Sequence, residues 1–371
     1  MDRIISLVLI TIIIAVVPFI STAQSSEDNL IQMAILLDTS NSMDGLIDQA
    51  KSQLWKIVNE LAVSKKNGVS PKLEVALFEY GNNSIDSSAG YVRLVAVLTT
   101  DLDKISEELF NLTTNGGNEY CGYVIKDALN KLLWNKNNNV YKVIFIAGNE
   151  PFTQGNVDYK KSCKNAISKG VIVNTIFCGD MEEGIETKWK DGADLADGKY
   201  ININQDYVEE YIAAPQDDVL VKLNEELNKT YLAYGAMGEE KKEMQTRQDS
   251  NAASMSKESA IQRVITKSKK QYSNASWDLL DAYKEGEIDI SKMDNEELPA
   301  EMKNMNEKEK EEYLGKKLKE RKEIQEKINK LNDERKKYID KVKKENAEDN
   351  SLDSAIIKSI REQATKKNFK F

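Results

Sequence analysis

What most restricts the folding of this 371-residue chain is a series of short apolar runs alternating with segments of helical periodicity. Residues 31–37 are almost continuously apolar and stop at Asp38, as expected of a strand buried on both faces. From Met43 onward, Leu46, Ile47, Ala50, Leu54, Ile57, Val58 and Leu61 recur at steps of three and four, which is one face of a helix. Residues 73–80 and 91–98 read as an antiparallel hairpin at a sheet edge, joined through the turn residues 81–84. Asp101 can cap a helix carrying Leu102, Ile105, Leu109 and Phe110, and after a loop at 113–117 a second helix carries Val124, Ile125, Ala128, Leu129, Leu132 and Leu133. Residues 140–147 and 171–178 are further buried strands around a helix with Tyr159, Cys163, Ala166 and Ile167. A short strand at 199–203 and a helix with Val219, Leu220, Leu223 and Leu227 close the unit near Gly235.

Strands alternating with helices imply an α/β fold, a doubly wound and mainly parallel sheet over residues 30–235, because right-handed crossovers place helices on both faces. In such sheets a ligand sits outside the carboxyl ends of the strands, near the switch in strand order. That directs attention to the loops that follow the parallel strands, the one at Asp38 first.

Residues 236–371 are richer in Lys, Glu, Gln, Asn and Ser, and a separate core is not evident there. They predict a charged, mostly helical C-terminal region with a frayed tail after Asn346. Within it, residues 307–344 favour one long helix on which Ile324, Ile328, Leu331, Tyr338 and Val342 are spaced by three and four, interrupted by Arg335. Such a stripe makes a short coiled coil or a docked helix, or merely marks a solvated one.

The first 23 residues carry Arg3, an apolar run over 4–20 and the small residues Ser21, Thr22 and Ala23, which reads as a signal peptide cleaved after Ala23. An uncleaved membrane anchor is the alternative, since the run approaches the roughly 20 residues that span a bilayer. Either way the chain is expected to be exported, to the periplasm, the cell envelope or the extracellular space. Export would permit a disulfide among Cys121, Cys163 and Cys178, although small buried thiols are the alternative and an odd number leaves one over.

A net charge of −9 without a clustered basic face disfavours nucleic acid as a partner. The absence of His removes the commonest general base and the usual imidazole ligand, so any bound metal should be hard and oxygen-ligated. Asp38, Ser40 and Ser42 form an Asp-x-Ser-x-Ser pattern at the end of the first strand, and three oxygen side chains at alternate positions of a tight loop can converge on one such cation. The same residue types also cap helices.

The segment Ile35-Leu-Leu-Asp38-Thr-Ser40-Asn-Ser42-Met43 resembles the first motif of the metal-ion-dependent adhesion site of von Willebrand factor A domains, which are Rossmann-like. The resemblance extends over about residues 30–235. It includes the loop Gly116-Gly117-Asn118-Glu119, the strand and loop Ile144-Phe-Ile-Ala-Gly148-Asn149-Glu150-Pro151, and the late segment Leu195-Ala-Asp-Gly198-Lys-Tyr200. Two departures stand out. Glu119 occupies the place of the family's metal-binding Thr, with Thr113 and Thr114 upstream as alternatives, and Gly148 replaces the usual loop Asp, with Asn149 and Glu150 beside it. A carboxylate at Glu119 keeps the formal charge around an ion similar. The resemblance implies a metal set of Asp38, Ser40, Ser42, Glu119 and Glu150, holding magnesium, or else manganese or calcium, with a partner protein's acidic side chain completing the shell. For Glu119 and Glu150 the alternative is an acid placed at a helix N-terminus.

The function expected is therefore a cation-dependent protein-binding module, for adhesion or envelope scaffolding, and not an enzyme. A second reading makes the chain an assembly protein whose C-terminal helices self-associate while the first domain only packs. A hydrolase is disfavoured, because no His can activate Ser40 or Ser42 and no nucleophile-elbow or phosphate-cradling motif is present.

Overall fold

The computed structural model describes residues 26–203, 211–346 and 352–371. The expected signal segment and its expected cleavage position at Ala23 lie outside the described residues, as does the side chain of Ser42.

Strand β1 (Leu30–Asp38) is followed by helix α1 (Asp44–Val63), then β2 (Lys72–Tyr80) and β3 (Val92–Thr99). Helices α2 (Leu102–Asn111) and α3 (Cys121–Lys131) lead to β4 (Tyr141–Gly148), α4 (Tyr159–Ser168) and β5 (Val171–Cys178). Two short helices, α5 (Met181–Glu186) and α6 (Trp189–Asp194), precede β6 (Tyr200–Ile203). The sheet order is β3-β2-β1-β4-β5-β6, with only β3 antiparallel, as the expected hairpin requires. The order reverses direction between β1 and β4, so the carboxyl ends of these strands form the switch-point crevice.

Alternate residues of each strand face opposite ways, and each face is covered. Ala34, Leu36, Ile144, Ile146 and Val173 pack under α3, α4 and the ring cluster of Phe152, Tyr159 and Trp189. Ile31, Met33, Leu37, Val143 and Ile176 pack under α1 and α2 on the other side. Asp101 caps α2 as expected, its carboxylate accepting from the Lys104 amide at 3.0 Å. Val219, assigned above to the buried face of its helix, is instead 40 % exposed, and Leu220, Leu223 and Leu227 carry that face alone.

The C-terminal third is not a separate appendage. Helices α7 (Asp217–Asn228), α8 (Gly238–Met255), α9 (Lys257–Lys267) and α10 (Leu279–Glu285) lead to the 40-residue α11 (Glu307–Asn346) and to α12 (Leu352–Thr365). Ile261, Val264, Ile265, Trp277, Ile324, Ile328, Ile356, Ile360 and Phe369 all join the same apolar cluster as α1 and β1. Helix α11 therefore docks on α7 and α9, which covers its Ile324 and Ile328 stripe within the chain. The interrupting Arg335 is buried too, its guanidinium paired with Asp217 at 2.7 Å and with Glu258.

The tail departs from the expectation of fraying. Phe369 is fully buried, and Lys370 pairs with Lys65 through two backbone hydrogen bonds of 2.7 and 2.8 Å. Short apolar spacing near a chain end carries little signal, but Ile356, Ile360 and Ala364 form one helical face long enough to close the gap between α1 and β6. Cys121, Cys163 and Cys178 are free and buried, so the small-residue reading holds and no disulfide joins them. Among the described residues no helix is long and apolar enough to cross a membrane.

Candidate functional site

Asp38 ends β1 and is completely buried. Its Oδ1 accepts the Ser40 amide at 2.7 Å, and the Thr39 amide reaches across to the Tyr80 carbonyl at 2.8 Å, so the loop is folded tightly over the strand ends. Helix α1 starts after Met43, which makes no side-chain cap. The Ser40 hydroxyl lies in hydrogen-bonding contact with the Asp38 carboxylate. Ser42 has its backbone in the turn Asn41–Met43.

Glu119, just before α3, is 2 % exposed, and its carboxyl group lies within hydrogen-bonding reach of Asp38. Its Oε2 accepts the Glu150 amide at 3.3 Å, while its own amide donates to the Gln154 side-chain carbonyl. Two buried carboxyl groups thus meet with no Lys or Arg paired to either among the described residues. Burial first, and the neighbouring Glu119 second, push Asp38 well above the usual carboxylate range. The nearby buried acid Glu79 differs, because Arg93 neutralises it.

Glycines shape the cradle. A Cβ on Gly81, whose φ of +79° already favours glycine, would stand 2.6 Å from Asp38 Oδ1 and 2.8 Å from Glu119 Cγ. One on Gly148 would stand 2.5 Å from the Tyr80 hydroxyl and 3.2 Å from Asp38 Oδ2. Any side chain at 148, an Asp included, would therefore collide with the Tyr80 hydroxyl, which is fixed by a 2.9 Å bond to the Ala147 carbonyl. That is the local reason a glycine stands there, and the second carboxylate comes from Glu119 in the loop before α3.

The structure brings Asp38, Ser40 and Glu119 together. It places Glu150 differently: its side chain is exposed, and its backbone does the bridging, the amide to Glu119 and the carbonyl to Trp189 Nε1 at 2.8 Å. Among the described residues no group of three or more Asp, Glu, His or Cys is placed to hold a metal. Thr113 is exposed and its carbonyl accepts from Asn82 at 2.8 Å, and Thr114 is half-buried. The sequence reading missed Tyr80, Gly81 and Gln154, which position the two acids. The one available signal was the turn Gly81-Asn82-Asn83 at a strand end next to β1.

A cation fits these residues. Asp38 Oδ2 is buried with no hydrogen-bond partner, beside a second carboxyl group and a hydroxyl, in a cradle that a single methyl group would fill. Carboxylate and hydroxyl oxygens are the donors that a hard divalent ion takes. Two carboxylates leave most of a six-oxygen shell to hydroxyls, water or a partner.

Strand order, switch-point position and the strand-end loops together define an α/β domain of the open-sheet kind. Residues 32–187 match the family model of the von Willebrand factor type A domain, and they form such a domain here, continued by β5's neighbour β6 and the helices beyond. Among solved structures, BatB from Bacteroides thetaiotaomicron is similar at 16 % identity, with 47 % of this chain and 90 % of that one covered and a TM-score of 0.36. The SpRpn10 VWA domain is similar at 19 % identity, with 47 % and 88 % covered and a TM-score of 0.36. A structure of proximal thread matrix protein 1 from the mussel byssus, described with a zinc-occupied MIDAS motif, is similar at 13 % identity, with 48 % and 43 % covered and a TM-score of 0.36. No curated protein matches the chain.

Proposed function

We propose that this chain is an exported binding module that captures another protein through a divalent cation, with magnesium the first expectation and manganese or calcium the alternatives, and that it is not an enzyme. The carrying observation is the buried Asp38 Oδ2, which has no donor and stands beside the Glu119 carboxyl group in a cradle walled by glycine. Two such acids need either a shared proton or a cation, because isolated buried charge is costly. Asp38, Ser40 and Glu119 would hold the ion, with Ser42 a further candidate from the same turn. The bound ion would present open positions to a carboxylate of the partner, while Asn41 and Asn118 lie exposed at the rim. Catalysis is less favoured, since the chain has no His to activate the Ser40 hydroxyl. Assembly through the C-terminal helices is also less favoured, because Ile324, Ile328 and Leu331 of the α11 stripe pack inside the chain and Tyr338 alone of it is exposed.

Magnesium or manganese should raise the thermal midpoint of the whole chain. Saturation to a hundred times the dissociation constant corresponds to about 2.7 kcal/mol, and Asp38→Ala should abolish the rise. If neither these ions nor calcium moves the wild-type midpoint, the cation-dependent reading is wrong.

A further inference from the structure

Away from the strand ends, three helices converge on one buried lysine. Lys267, the last residue of α9, is fully buried. Its Nζ donates to Asp249 Oδ2 of α8 at 2.7 Å, to Asn224 Oδ1 of α7 at 2.9 Å, and to Asn228 Oδ1 of α7. Both asparagine side-chain nitrogens donate to that same Asp249 oxygen, at 2.9 Å from Asn224 and 2.8 Å from Asn228. Arg263 Nε holds the other carboxylate oxygen at 2.9 Å, and the Tyr231 ring lies 5.7 Å from Nζ.

We infer that this cluster is a site of covalent self-modification, in which Lys267 Nζ attacks Asn228 Cγ and forms an intramolecular amide cross-link between α9 and α7 with release of ammonia. The arrangement holds each part the reaction needs. An amine lies against a carboxamide carbonyl in a water-poor setting, which replaces a bimolecular encounter by a fixed approach. One carboxylate oxygen touches both the amine that must lose protons and the amide nitrogen that must gain one, which is the position of a proton carrier. Burial also lowers the Lys267 ammonium to about 8, against the pull of Asp249. Against its own burial, the charges of Lys267 and Arg263 hold Asp249 below the usual carboxylate range, so Asp249 carries the proton only transiently and the reaction is slow.

The step balances. Asp249 takes a proton from the Lys267 ammonium, and the Nζ–Cγ bond forms as the carbonyl electrons move to oxygen. The attacking Nζ gives up its second proton to Asn228 Nδ2, the Cγ–Nδ2 bond breaks as the carbonyl reforms, and ammonia leaves. Asp249 then returns its proton to the ammonia, so the net change converts an ammonium and a carboxamide into a secondary amide and an ammonium ion. No oxidant or cofactor takes part.

Intact mass spectrometry of the purified chain tests this directly. The wild type should fall below its sequence mass by about 17 Da, one ammonia, and proteolysis should release one peptide containing residue 228 joined to one containing residue 267. Cyclisation of an amino-terminal glutamine loses the same mass, so the joined peptide and the variants decide the origin. Lys267→Arg and Asn228→Ala should each keep the mass that the cross-link removes, and Asp249→Asn should slow or stop its loss. The wild-type measurement depends on no variant folding. A wild-type chain yielding separate 228 and 267 peptides after prolonged incubation at neutral pH overturns the assignment, as does the same mass loss persisting in Lys267→Arg.

Discussion

At the residue scale, the centre of the molecule is a pair of acids that burial would otherwise forbid. Asp38 sits where a parallel strand ends at the sheet's switch point, and Glu119 reaches it from the loop before α3. Gly148 is held small by Tyr80. Installing the family's usual residue there, Gly148→Asp, should therefore cost about 1–3 kcal/mol as an overpacking change. Denaturant titration would measure it, and Tyr80→Phe should recover part of the loss, because the hydroxyl is what the new side chain meets. Strictly additive losses would show that the collision is not the cause. The strand-end Asp38 and Ser40 were legible in the sequence because their spacing is local. The exposed position of Glu150, and the roles of Tyr80 and Gln154, were not, since they depend on which loops the sheet order brings together.

At the scale of elements, the sheet could be read well because strands covered on both faces give continuous apolar runs with little else in them. The helices beyond residue 235 could not. Their buried surface is carried by a few isolated isoleucines and by charged residues that read as solvated, among them Arg263, Lys267, Arg321 and Arg335. Each of these finds buried acids only in the folded chain, as Arg321 does with Asp278 at 2.5 Å and Asp281 at 3.1 Å. Helix α12 shows the same point on its apolar side. Ile360 is fully buried between α12 and the α1 face of the sheet, so Ile360→Ala should cost about 2–5 kcal/mol by equilibrium unfolding. A cost near zero would mean that α12 does not belong to the core.

For the whole molecule, one apolar cluster runs from β1 through α9 and α11 to Phe369, so the von Willebrand factor A domain and the helices after it should unfold together. Buried acids give that unit a pH signature. Burial first, then the charge of Asp278, raises Asp281 to about 6 despite Arg321. A carboxyl group raised on folding stabilises fully below its unfolded pKa, and that contribution is lost as pH rises through the folded value. From this group, stability should therefore fall between about pH 4 and 6, by at most about 3 kcal/mol. Asp281→Asn should flatten that part of the profile, and an unchanged slope would remove Asp281 as its source.

Whether a cation sits on Asp38 and Glu119 can be read from isothermal titration of the metal-stripped chain with magnesium and with manganese. One ion should bind per chain, with binding lost in Asp38→Ala and weakened at least tenfold in Glu119→Gln, about 1.4 kcal/mol. Binding that survives both substitutions, or a wild-type chain that takes up neither ion, would contradict a cation at these acids.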